Sequence, residues 1–115
     1  MAGRRVIAVA DGRTVCDNLT VADRFWPRFV GLQFRRSFEP GEGLWLTPCS
    51  SIHTCFLRFG IDLVWLDADC RVVDLAPNIL PWRIAFPARP AVSVLELPAG
   101  TAVVTIGEQL AICER

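Results

Sequence analysis

The sequence predicts a mainly β fold: a small β-sandwich-like or barrel-like domain with one helix packed across it. Short apolar runs of strand length recur along the chain, each bounded by Gly, Pro or Asp. Only one segment shows helical spacing. At 115 residues, with 52% hydrophobic and 21% charged residues, the chain suits a single self-stabilising core over residues 1–115.

Val6 to Ala10 is a short β-branched run, Asp11-Gly12 is a hairpin turn signal, and Thr14 to Leu19 alternates behind it, so an N-terminal hairpin is expected. Thr20 followed by Asp23 resembles a capping box, and Phe25, Phe29 and Leu32 then recur at helical spacing. The expected helix covers roughly 21 to 32, kinked at or beginning near Pro27, which lacks an amide hydrogen. Pro40-Gly41-Glu42-Gly43 reads as a loop. Strands are then expected at Leu44–Leu46, Ile52–Leu57, Ile61–Leu66, Arg71–Leu75, Ala91–Leu97 and Gln109–Cys113. The interval Pro77 to Pro90 spaces prolines through apolar residues and reads as an irregular surface strand or loop.

Twelve arginines and no lysine balance twelve acids to a net charge of zero, whereas a nucleic-acid binder usually carries a basic excess on one face. The apolar run near the N-terminus is too short for a signal-peptide core or a membrane span. Five irregularly placed cysteines form no disulfide framework, so a reducing cytoplasm is the expected compartment. Neither nucleic acid nor membrane is an expected partner. An unidentified small molecule or protein is, with the oligomeric state left open.

The segment Pro48-Cys49-Ser50-Ser51-Ile52-His53-Thr54 leads into Leu57-Arg58-Phe59-Gly60-Ile61-Asp62 and an apolar strand ending at Asp67. In order and spacing it resembles the family called domain of unknown function 192. Four further blocks keep that family's order: Arg28 to Arg35, Gly41 to Leu44, Val94 to Thr101 and Ile106 to Leu110. The likeness spans about residues 20 to 113 and implies the sandwich-like fold with its helix, but no established activity. Gln33 and Leu57 stand where the family usually has Met, Gly60 where it has Pro, and Cys70 where a turn would have Gly. A residue with a Cβ at a positive-φ position costs about 1 kcal/mol.

Candidate chemistry gathers around His53, the single histidine. Cys49 and Cys55 would lie about 20 Å apart on an extended strand rising about 3.3 Å per residue, too far to share a tetrahedral ion, so no metal or other cofactor is expected. His53 and Cys55 share a strand face, and with Asp62 orienting the ring they would make a nucleophilic Cys–His pair. The alternative is a buried apolar Cys55 and a hydrogen-bonded His53. Asp62 opens a strand buried on both faces, where it would accept backbone amides, pair with Arg58 or contact a ligand, and Glu96 would pair with an arginine. The four tryptophans would line a sugar or peptide groove, or pack the core and its rim. The resulting expectation is a ligand-binding or protein-interaction module with a shallow pocket formed by His53, Cys55, Arg58 and Asp62. A small Cys/His-dependent hydrolase or transferase is the alternative, with its catalytic residues unassigned. Both readings require Ile52–Leu57 and Ile61–Leu66 to pair as a hairpin around Phe59-Gly60, which would bring His53 and Asp62 to one face.

Overall fold

A computed structural model describes residues 3–23, 32–33 and 35–114. Gly12, at φ +72°, turns β1 (Arg4–Ala8) back into β2 (Thr14–Ala22) at the expected Asp11-Gly12 signal. β2 then runs parallel to β3 (Glu42–Leu46), with Thr20 opposite Leu44 and Ala22 opposite Leu46. Parallel neighbours cannot be joined by a tight turn, and β2 and β3 are accordingly well separated in sequence, Ala22 from Glu42.

That register corrects the expected fold. Among the described residues every regular element is a strand, and no helix packs across the sheet. Val21 and Ala22, expected to open the helix, instead finish β2, and Leu32-Gln33 forms a turn. Cross-strand pairing with Trp45 and Leu46 outweighs the local capping signal from Thr20 and Asp23. The rest of the expected helix, residues 24–31, lies outside the described residues.

The main sheet has seven strands in the order β6-β5-β8-β3-β2-β1-β9, with β5 (Ile61–Leu66), β6 (Val72–Ile79), β8 (Ser93–Pro98) and β9 (Leu110–Glu114) joining the first three. β4 (Ile52–His53) and β7 (Ile84–Ala85) form a separate ribbon. An isolated bridge between Arg71 and Gln109, with the Val72 amide donating to the Glu108 carbonyl at 2.8 Å, brings the starts of the two edge strands together. The sheet therefore curls.

Side chains alternate across the sheet and divide its core in two. Val64, Leu66, Leu95 and Leu97 pack with Val6, Trp45 and Leu110 on one face. Ile61, Leu63, Trp65 and Val94 pack on the other with Leu44, Leu46, Ile52 and Leu57, beneath the ribbon. β5 and β8 are buried at every residue, as central strands covered on both faces must be. The parallel register also brings Gly43 against Cys16, where a Cβ would lie 2.5 Å from the thiol sulfur.

A second correction concerns the strand around His53. The regular strand ends at His53, because Thr54 turns inward and bonds to residues 80–83, and the Leu57 amide closes a turn onto the Thr54 carbonyl at 3.2 Å. Phe56, inside that turn, has φ +66°. β4 pairs with β7, while β5 pairs with β6 and β8, so the expected hairpin around Phe59-Gly60 does not form.

Candidate functional site

Asp62 lies on β5 and is almost fully buried. Its Oδ1 accepts the Asn78 amide at 2.8 Å, and its Oδ2 accepts the amides of Gly100 and Ala102, each at 3.0 Å. The β5–β6 register slips between Ile61 and Leu63, leaving Asn78 in a bulge at φ +52°. The carboxylate thus ties the bulge to the chain leaving β8. Of the roles open to Asp62 in the sequence, this is the acceptor of backbone amides.

Asp62 alternates with Ile61 and Leu63, so its side chain leaves the sheet on the Val64 and Leu66 face, opposite the face covered by the ribbon. His53 is on the ribbon, exposed, and its Nδ1 accepts the Cys55 amide at 3.3 Å. The two residues do not share a face, and the Cys–His–Asp arrangement is rejected. The shared pocket is not formed either. Asp62 lines a cavity of about 180 Å³ with Leu63, Leu75, Ala76, Pro77, Gly100 and Ala102, without His53 or Arg58. A second cleft, about 430 Å³, lies where the sheet edges meet, along Arg71 and residues 105–109. Arg58 is exposed, Cys55 is half-buried, and the Cys49 thiol donates to the Ser51 carbonyl at 3.2 Å. Among the described residues, no cluster of three His, Cys, Asp or Glu side chains could hold a metal ion.

The ribbon carries the feature that sequence reasoning missed. Trp82, Ile84 and Phe86 are 60%, 71% and 69% exposed, with Leu80 and Phe56 also exposed beside them. Their spacing puts them outward while Ala85 faces the core. Phe56 and Trp82 meet edge to face, their ring centroids 4.9 Å apart. Both have positive φ, +66° and +65°. A bulky residue is a genuine outlier there, at about 1–3 kcal/mol each. Thr54 holds the arrangement. Its amide donates to the Arg83 carbonyl at 2.8 Å, its hydroxyl donates to the Leu80 carbonyl at 2.7 Å, and it accepts the Trp82 and Arg83 amides. The readable signal was apolar alternation between Pro81 and Pro87 in a stretch already expected at the surface.

Two buried groups are perturbed. Burial alone pushes the Glu96 carboxyl up to about 8, and the ion pairs among the described residues (Arg13 with Asp11 and Glu108, Arg35 with Glu42) leave the expected arginine partner of Glu96 unfulfilled. Burial likewise pushes the Cys16 thiol up to about 11, which suits an inert core thiol.

The family model for domain of unknown function 192, described as uncharacterised ACR, matches residues 6–112. The chain belongs to this family. A UPF0127 protein of Pyrococcus furiosus is 35% identical over 101 residues, 83% of this chain and 84% of the relative. The crystal structure of a candidate transcription regulator from Sinorhizobium meliloti superposes with a TM-score of 0.81 at 25% identity, covering 96% of this chain and 92% of that one. A protein of unknown function from Novosphingobium aromaticivorans gives a TM-score of 0.80 at 22% identity, covering 94% and 82%, a likeness of fold alone. Two sequence blocks that resemble domain of unknown function 192, Arg58 to Asp62 and Val94 to Thr101, meet at the Asp62 carboxylate. In this chain that junction builds the frame.

Proposed function

We propose that this chain is a small partner-binding module that docks its partner on the outward face of the β4–β7 ribbon. The Phe56–Trp82 pair carries the reading: two exposed aromatic rings in edge contact, both on strained backbone held by the buried Thr54. Exposed apolar patches mark binding surfaces, and large rigid aromatics are the usual anchors of an interface. Strain retained at a surface is offset elsewhere in the fold and signals a shape kept for use. His53 pairs across the ribbon with Ile84 and so borders the face, while Asp62 holds the frame behind it.

The test is a nuclear magnetic resonance titration with a library of small aromatic fragments and short peptides. Binding compounds are expected to shift the Phe56, Trp82, Ile84 and Phe86 amides, and the shifts are expected to vanish in Trp82→Ala, whose melting stays near that of the parent. Compounds that map to the Arg71 cleft or the Asp62 cavity instead would overturn the proposal.

A further inference from the structure

We infer that the partner of the ribbon face is an acidic peptide segment, one that presents apolar side chains flanked by carboxylates. The inference rests on the docking reading above and adds the partner's chemistry. Its basis is a local charge imbalance in a chain whose net charge is zero. Between Glu42 and Asp62, and again between Asp74 and Glu96, the sequence contains no acidic residue, and these two stretches supply both strands of the ribbon and its loops. The same stretches carry Arg58, Arg83 and Arg89, all exposed. Arg58 lies two residues beyond Phe56, Arg83 between Trp82 and Ile84, and Arg89 just past Phe86.

None of the three arginines pairs with an acid among the described residues; the Arg83 guanidinium donates to the Pro81 carbonyl, at 3.2 Å. Asp74 reaches this layer, and its oxygens accept the Leu75 and Ala88 amides, at 2.9 and 2.8 Å. The face therefore offers aromatic anchors followed closely in sequence by exposed arginines that no acid among the described residues neutralises. Guanidinium binds carboxylate in a planar, bidentate way, and rim charges of one sign select partners of the other. A peptide is favoured over a lipid surface because the Phe56–Trp82 pair is fixed in shape, which benefits a partner that is itself shaped. It is favoured over nucleic acid because the chain as a whole has no basic excess.

The experiment sorts a displayed library of random 12-residue peptides against the intact chain, and counts as site-specific those peptides whose binding is lost with Trp82→Ala. Site-specific peptides are expected to show at least threefold enrichment of Asp and Glu over Lys and Arg, and to lose tenfold or more in affinity with Arg83→Glu. Trp82 is largely exposed, so Trp82→Ala is expected to fold, and circular dichroism checks it; Phe86→Ser serves as the second variant. Site-specific peptides without acidic enrichment overturn the acidic-partner inference and leave the docking reading standing. Peptides that bind Trp82→Ala as well as the parent overturn the docking reading. An empty selection overturns the inference, as does Trp82-dependent binding to vesicles of phosphatidylglycerol and phosphatidylcholine, or Trp82-dependent self-association in sedimentation.

Discussion

Thr54 and Arg83 bond to each other in both directions: the Thr54 amide donates to the Arg83 carbonyl at 2.8 Å, and the Arg83 amide donates to Thr54 Oγ1 at 2.8 Å. The threonine is fully buried beneath a ribbon that is otherwise only two residues long on each side. Its hydroxyl does what a longer ladder would do elsewhere.

Thr54→Val keeps the shape of the side chain and removes its oxygen. The Arg83 amide and the Leu80 carbonyl then lose a buried partner, for about 1–3 kcal/mol of stability. Thr54→Ser is expected to recover most of it. Denaturant unfolding of the three proteins checks this, with loss of the Trp82 ring contact as a local reporter; a Val variant as stable as the parent would show that the ribbon is held by packing alone.

Asp62→Asn replaces an acceptor of three amides by a group with one acceptor oxygen and an NH2 facing donors. The expected loss is about 2–4 kcal/mol, with increased amide exchange at Asn78, Gly100 and Ala102. Unchanged stability would count against the carboxylate as the tie between the β6 bulge and the chain leaving β8.

Glu96 makes stability fall as pH rises. Its folded value, about 8, lies above the ordinary 4.5, so between those two values the unfolded chain releases a proton that the folded chain keeps. The slope is negative, up to about 1.4 kcal/mol per pH unit, and flattens below 4.5 and above 8. Glu96→Gln is expected to remove this contribution, gaining on the parent steadily from pH 5 to pH 8. Parallel stability curves for the two proteins would contradict the assignment.

Cys70 closes the Asp67–Cys70 turn at φ +60°, with its amide donating to the Asp67 carbonyl at 3.0 Å. The thiol also packs half-buried against the core. Comparing Cys70→Gly with Cys70→Ala removes the thiol from both and isolates the backbone term. The Gly variant is expected to be more stable than the Ala variant by about 1 kcal/mol. Equal stabilities, measured by urea unfolding, would mean that the turn relaxes at no cost.

Local chemistry made much of this chain readable. Asp11-Gly12 announced the first hairpin, Ile61–Leu66 read as a strand buried on both faces, and the cysteine in the turn at position 70 disclosed a strained residue, because each signal depends on residues close in sequence. Partners distant in sequence were not readable. Val21 and Ala22 carry a helix-start signal and become strand only because β3 lies beside them, and the apolar pattern of Ile52–Leu57 does not reveal that Thr54 will turn inward to meet residues 80–83. The site moved for the same reason. His53 and Asp62 are nine positions apart, yet the direction of each side chain is set by which strand its own backbone pairs with: β7 for one, β6 and β8 for the other. Alternation along the sequence determines which residues share a face of a strand, but pairing between distant strands determines which strands share a sheet, and only the tertiary structure decides that.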